Sequence, residues 1–160
     1  MAVVLISGGT GLIGKKLTSH LIERKYEVII LSRNKKNSSL NPLVSYSFWD
    51  VKNQLIDADV IRKADYIIHL SGAGVMDKSW TKEYKQQIVD SRTKSSDLLI
   101  KAISENEHKV QSFVSASAIG WYGADERPLI HKDGFIETDP AEKGFLGETC
   151  VLWESSVNAV

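Results

Sequence analysis

The sequence predicts an α/β fold, a doubly wound parallel sheet with helices between successive strands. Three observations carry this. An apolar run at residues 2–6 enters the turn Gly8-Gly9-Thr10-Gly11-Leu12-Ile13-Gly14, and a helical pattern over roughly 12–24 leaves it. Val28, Ile29, Ile30 and Leu31 form an unbroken apolar run, the mark of a strand buried on both faces of a parallel sheet. Further strand-like runs at 66–70 and 111–117 are separated by a long segment of helical spacing.

Size and composition agree. The 160 residues make one domain, long enough to bury a core, with 42% hydrophobic and 25% charged residues. A formal net charge of +0 gives no reason to expect nucleic acid as a partner. Cys150 is the one cysteine, which excludes an internal disulfide framework and fits a reducing compartment. The apolar run at 1–6 has no basic flank and is too short for a signal peptide or a membrane span. The expected setting is therefore the cytoplasm, or an organelle matrix if a targeting segment is absent.

A strand, a glycine turn and a helix start make a junction suited to a diphosphate. Backbone N–H groups point outward there, and the helix dipole favours negative charge. Gly8 and Gly9 permit the sharp turn, Gly11 lets the backbone approach a pyrophosphate, and Gly14 lets helix and strand pack closely. Taken alone, such glycines also fit a flexible turn. The flanking elements, with a second strand at Glu27–Ser32, favour a dinucleotide lying along Gly8, Gly9, Thr10, Gly11, Leu12, Ile13 and Gly14. In the helix, Leu12, Leu17, Leu21 and Ile22 form the apolar stripe.

The second strand ends in Ser32-Arg33-Asn34, where a protein that prefers NAD(H) usually carries an acid for the ribose 2′-hydroxyl. The planar fork of Arg33 suits a 2′-phosphate, and Lys35 and Lys36 add positive charge. NADP(H) is thus expected ahead of NAD(H), and a solvated basic loop is the plain alternative. Residues 35–42 read as a loop and 44–49 as an edge strand. Asp50 follows, either beside an adenine ring or as a capping or turn residue.

A short helix is expected at 58–64 and a fourth strand at 66–70. Leu70 ends it and Ser71, Gly72, Ala73 and Gly74 follow, small enough for the backbone to lie against a nicotinamide ribose, so Leu70, Ser71, Gly72 and Ala73 are expected at the cofactor. His69 reads as a hydrogen-bonded core residue. The longest helical pattern spans 80–105, with Trp80, Tyr84, Ile88, Leu99 and Ile103 on its apolar face and an Asp97–Lys101 pair outside. Arg92 lies mid-helix, facing the cofactor or forming a surface or interface salt bridge.

A fifth strand at 111–117 delivers Ser115-Ala116-Ser117 to the rim that carries the glycine turn. A tight aromatic turn follows at 119–123, then a polar stretch at 124–140 that reads as a flap. Asp139-Pro140 is a helix-start signal, opposed by Gly144 and Gly147, and a clearer helix runs from about Phe145. The four histidines are scattered, so no metal site is expected.

Five strands with helical crossovers resemble the first part of a Rossmann domain, strand order 3-2-1-4-5, truncated before the sixth strand. Residues 8–14, Leu-Ser-Arg-Asn at 31–34, His-Leu-Ser-Gly-Ala-Gly at 69–74 and Trp80-Thr81 narrow the resemblance, as do Ser91-Arg92, the run Ser-Ala-Ser-Ala-Ile-Gly-Trp-Tyr-Gly at 115–123, Gly-Phe-Leu at 144–146, Cys150 and Trp153-Glu154. Together they resemble the atypical short-chain dehydrogenase/reductase family of nucleoside-diphosphate-sugar epimerase-like proteins. The resemblance covers nearly the whole chain. Its most specific part is Ser91-Arg92 combined with Ser-Ala-Ser-Ala.

The resemblance implies an NADP(H)-type site at the carboxyl rim of the sheet. In the superfamily a Ser or Thr after the fifth strand polarises the substrate oxygen, a Tyr transfers the proton, and a Lys four residues later tunes that Tyr and holds the ribose. Ser117 matches the first group, with Ser115 the second choice. Phe145 and Thr149 stand where the Tyr and Lys belong, and neither replaces them, although Phe145 can pack on the cofactor and Thr149 can reach the ribose. Tyr122 is then the nearest acid, with Glu148 or Glu137 behind it, or else it is a packed aromatic under its turn.

The family continues through a sixth strand and a small carboxyl-terminal domain that builds the substrate pocket. Residues 1–160 are accordingly expected to form an incomplete NADP(H)-binding Rossmann domain with an uncovered edge on the fifth strand. Two functions fit. One is an NADP(H)-dependent oxidoreductase or nucleotide-sugar epimerase-like enzyme with a non-standard site for an unknown small-molecule substrate. The other is a non-catalytic NADP(H)-binding or sensing protein. The long and terminal helices are the expected homodimer surface, and neither nucleic acid nor membrane is an expected partner.

Overall fold

The computed structural model describes residues 1–124 and 134–158. Its centre is β1 (Val3–Ser7), buried at all five positions. β2 (Glu27–Ser32) pairs with it on one side and β5 (Tyr66–His69) on the other, both parallel, so that Leu5 lies between Ile29 and Ile67. Alternate residues of these strands enter opposite layers, as the two-residue period requires. Val3, Leu5, Ile29, Leu31 and Ile67 face α2 (Ala58–Lys63) and α3 (Lys82–Glu105) through Val60, Ile61, Leu98, Leu99 and Ile103. Val4, Ile6, Val28 and Ile30 face α1 (Leu12–Glu23) through Leu17, Leu21 and Ile22. Two covered faces explain the unbroken apolar runs.

β3 (Val44–Asp50) and β6 (Ser112–Ser115) extend the parallel sheet at either side, and the full order is β4-β3-β2-β1-β5-β6. Five strands are expected from the sequence. The sixth is β4 (Leu55–Ile56), antiparallel to the end of β3 through Trp49–Ile56 and Asp50–Leu55. Two residues carry no readable period, and β4 partly covers the strand expected to be an edge. At the far side, β6 pairs with β5 alone among the described residues, and its Val114 is 53% exposed.

Three expectations are corrected by local polar contacts. α3 starts at Lys82 because Thr81 Oγ1 accepts the Tyr84 N–H at 3.2 Å, which leaves Trp80 outside the helix. Lys101 pairs with Glu105 at 3.9 Å instead of with Asp97. Asp139-Pro140 starts no helix. Asp139 instead closes a turn, its Oδ2 accepting the Ile136 N–H at 2.9 Å and its own N–H reaching Ile136 O at 3.0 Å. The last helix is α4 (Phe145–Val157), which begins after Gly144. Much of the expected flap, 125–133, lies outside the described residues. Among the described residues no helix is long and apolar enough to cross a membrane.

Candidate functional site

The first part of the site is made of backbone. Gly8 ends β1 with φ at 74°, in the left-handed region that glycine enters without strain. A Cβ there would lie 2.8 Å from the Leu70 carbonyl carbon and oxygen, so the turn rests directly on the loop after β5. A Cβ on Gly14 would strike Gly8 O and come within 2.6 Å of Gly9 Cα, so the first turn of α1 sits on the glycines themselves. Gly11 is the N-cap of α1 and offers no side chain to its free N–H groups. Thr10 is exposed beside it, and Leu12 and Ile13 are 90% and 69% exposed. The first N–H groups of α1 thus have no side-chain cap and stand beside two exposed apolar residues, an arrangement that suits a phosphate.

The loop after β2 is built on Ser32, whose Oγ accepts the Asn34 N–H at 3.0 Å and an Asn37 Nδ2 hydrogen at 2.8 Å. Arg33 is exposed on this loop and forms no salt bridge among the described residues. Lys35 is drawn aside, its Nζ 4.5 Å from the centre of the Phe48 ring. Asp50 makes the contacts of a turn residue. Its two oxygens accept from Asn53 N–H at 3.1 Å and Asn53 Nδ2 at 2.8 Å, and those bonds hold its carboxyl below the usual range.

The loop after β5 is held by side chains of α3 and by Trp80 just before it. Leu70 N–H first continues the sheet to Ser7 O at 3.1 Å. Ala73 N–H then donates to Ser91 Oγ at 2.8 Å, and Arg92 NH1 donates to Ala73 O at 3.1 Å and to Ile88 O at 3.0 Å. Tyr84 OH donates to Gly74 O at 2.6 Å, and Trp80 Nε1 donates to Val75 O at 2.7 Å. The guanidinium of Arg92 also lies 5.0 Å from the Trp153 ring, and burial pulls its pKa below the ordinary value. Arg92 therefore forms no salt bridge among the described residues and tethers the predicted ribose loop. Sequence spacing finds the ring of Tyr84 on the apolar face but is blind to the hydroxyl that reaches the loop.

Beneath both loops lies a buried polar chain. Ser7 Oγ and His69 Nδ1 are 2.5 Å apart, and Ser95 Oγ and His69 Nε2 are 3.2 Å apart. Burial pushes the His69 pKa down to about 4, so the ring is neutral near pH 7. This is the core role expected of it.

The side expected to transfer a proton is arranged differently from the expectation. Ser117 Oγ donates to Glu154 Oε1. Glu154 is nine residues along α4 from Phe145, about 13 Å at the helical rise. Between them Cys150 Sγ donates to Ala118 O at 3.6 Å, and a Cβ on Gly120 would lie 3.0 Å from Leu146 Cβ. The segment 117–120 thus climbs alongside α4, and Ser117 is not beside Phe145. Phe145 meets Trp80 edge to face at 5.3 Å, with Lys85 Nζ 5.1 Å from its ring. Thr149 is buried and donates to Phe145 O at 2.6 Å, so its hydroxyl is turned to its own helix, not to a ribose. Tyr122 stacks on Phe135 with centroids 5.0 Å apart, the packed-aromatic arrangement. An open depression of about 450 Å³ is lined by Trp80, Ile119, Gly120, Phe145 and Leu146. Trp153 Nε1 is buried without an acceptor among the described residues.

A family model described as the NAD dependent epimerase/dehydratase family matches residues 4–143. An epimerase family protein of Staphylococcus haemolyticus is 37% identical over 155 residues, 96% of this chain and 48% of the relative. One from Mycobacterium bovis is 29% identical over 155 residues, 97% of this chain and 48% of the relative. The chain thus spans about half the length of the curated relatives it matches. A crystal structure of a human epimerase family protein with NADPH superposes with a TM-score of 0.76 at 23% identity, over 98% of this chain and 48% of that one. MoeE5 in complex with UDP-glucuronic acid and NAD gives 0.75 at 22%, with the same coverage. At these identities the likeness is one of fold.

Proposed function

The chain belongs to the NAD dependent epimerase/dehydratase family, and from that premise we propose that its 160 residues form the dinucleotide-binding part of an oxidoreductase or nucleotide-sugar epimerase-like protein. The cofactor lies along the carboxyl rim of the sheet. The single observation that carries this is the uncapped, exposed start of α1 at a turn where Gly8 and Gly14 leave no room for a Cβ. Those N–H groups hold the pyrophosphate, and Leu12 and Ile13 cover it. The backbone at Leu70, Ser71, Gly72 and Ala73 supports the nicotinamide ribose. Arg33, exposed and without an acidic partner among the described residues, takes the 2′-phosphate and makes NADP(H) the preferred ligand over NAD(H). When bound, the nicotinamide supplies hydride chemistry.

Ser117 and Tyr122 are the side chains of this part proposed to act on a small-molecule substrate. Substrate selection belongs to the portion of the relatives that this chain does not match. A second reading, a non-catalytic NADP(H)-binding or sensing protein, is favoured by Phe145, which has no proton to transfer, and by the inward bond of Thr149. A cytoplasmic homodimer joined over α3 and α4 completes the proposal.

Titration of the protein with NADPH and NADH by calorimetry tests the cofactor. Saturable binding of both, tighter for NADPH, is expected. No heat and no change in NADPH fluorescence at millimolar ligand sinks both readings. Turnover of carbonyls or nucleotide sugars that disappears in Ser117→Ala selects the enzyme, whereas cofactor binding without turnover across such a panel selects the sensor.

A further inference from the structure

We propose that Arg92 is a positioning residue for the nicotinamide half of the cofactor: its guanidinium, held between the Gly72–Ala73 backbone and the Trp153 indole, sets where the loop after β5 lies. The inference rests on the cofactor reading above. It assigns Arg92 a role through the loop, without contact to the ligand.

The geometry begins at residue 73, which has both main-chain polar groups bound by consecutive side chains of α3. Its N–H goes to Ser91 Oγ at 2.8 Å, and its carbonyl takes a hydrogen from Arg92 NH1 at 3.1 Å. The two peptide planes that meet at Ala73 are fixed by those bonds. NH1 places its second hydrogen on Ile88 O at 3.0 Å, so the guanidinium is locked to α3 as well as to the loop. Its plane lies against Gly72, where a Cβ would come within 3.0 Å of Cζ. Trp153 covers it from α4 with the ring centre 5.0 Å from Cζ. The loop, α3 and α4 therefore meet at one side chain.

The start of the same loop is fixed by a different neighbour. A Cβ on Gly8 would lie 3.0 Å from Ser71 N, so the glycine turn sets the loop at 70–71 while Arg92 sets it at 72–73. The adenosine half of a dinucleotide rests on the turn and on Arg33. The nicotinamide half rests on the stretch that Arg92 holds. Loss of Arg92 then moves one half of the site and spares the other. Lysine is no substitute, because one ammonium cannot lie flat between a backbone and an indole while bonding two carbonyls.

The test compares NADPH with 2′,5′-ADP, which carries only the adenosine half, by calorimetry on the wild type, Arg92→Ala, Arg92→Lys and Ser91→Ala. NADH and 5′-AMP are run in parallel, so that the result does not hinge on the 2′-phosphate. Arg92→Ala is expected to weaken the dinucleotide about tenfold or more and to leave the mononucleotide within about twofold. Enhancement of nicotinamide fluorescence on binding falls with it. Arg92→Lys restores little, and Ser91→Ala, which frees the other polar group of Ala73, shifts the same ratio in the same direction even if Arg92→Ala fails to fold. Equal weakening of dinucleotide and mononucleotide, unchanged affinity for both, or full recovery in Arg92→Lys overturns the inference; recovery would make Arg92 a simple charge on the ligand. A wild type that binds none of the four probes removes the cofactor reading itself, which separates that failure from the failure of the positioning role.

Discussion

Two loops reach the same rim of the sheet and are held by opposite means. The turn at 8–14 is fixed by its own backbone: Gly11 N–H meets Gly8 O at 3.0 Å, and Gly14 packs on Gly8 and Gly9 with no space for a methyl group. The stretch 70–75 is fixed from outside, by Trp80, Tyr84, Ser91 and Arg92. A backbone-built loop excludes side chains and fails all at once. A tethered loop depends on several distant groups and fails by degrees. The largest expected effect is therefore in the turn. Gly14→Ala forces a Cβ onto main-chain atoms that cannot rotate away, at a cost of about 3 kcal/mol. Thermal melting should drop by about 10 °C, with cofactor binding lost. A variant that melts as the wild type and binds NADPH would show that the turn is softer than its contacts imply.

The same contrast explains what the sequence revealed. Gly11 and Gly14 are constrained by Gly8 and Gly9 a few positions away, so their spacing exposes both the turn and the helix that follows, although Gly8 and Gly9 themselves also pack on Leu70 and Ile30. β1, β2 and α1 were legible for the same reason, through continuous apolar runs and a 3.6-residue stripe. The tethers of 70–75 were not. Ser91 and Arg92 stood out as polar residues in a long helix, but their partners, the N–H and the carbonyl of Ala73, lie 18 and 19 positions back along the chain. The directions of Thr149 and Ser117 were hidden for a related reason. A hydroxyl placed by analogy carries no direction, and here one turns to Phe145 O and the other to Glu154. β4 is too short for any pattern.

The next effect strikes both loops together. Ser7 precedes the turn, His69 precedes the tethered loop, and Ser95 joins them to α3. His69 has an ordinary value of 6.5 and is lowered to about 4 by burial. Above pH 6.5 the ring is neutral in both folded and unfolded chains. As pH falls from 6.5 toward 4 the unfolded chain takes up the proton first, so stability is lost across that window and no further below it. The loss is about 3 kcal/mol. Urea midpoints near pH 7 and near pH 4.5 should differ less in His69→Gln than in the wild type. An equal drop in both would assign the acid sensitivity to other groups.

A smaller effect separates the adenosine side of the turn from everything else. Arg33 has no structural partner among the described residues, so Arg33→Ala should leave melting unchanged. It removes one charge-assisted contact to a 2′-phosphate, worth about 1–3 kcal/mol. NADPH should weaken by that amount and NADH should not. Equal weakening of the two would end the preference for NADP(H).

The smallest effect probes the far side of the rim. Tyr122 is stacked on Phe135 with the planes 14° apart, and that contact belongs to the ring. Tyr122→Phe keeps the ring and deletes only the hydroxyl. If the side chain serves as packing under the turn at 119–123, melting and NADPH affinity should both stay within about 0.5 kcal/mol of the wild type. Turnover, where a substrate is found, is the discriminating measurement. An aromatic that only packs leaves it intact, whereas a proton donor standing in for the tyrosine absent at Phe145 loses it with affinity unchanged. The second outcome would make this loop, like 70–75, a place where one side-chain oxygen matters more than the backbone that carries it.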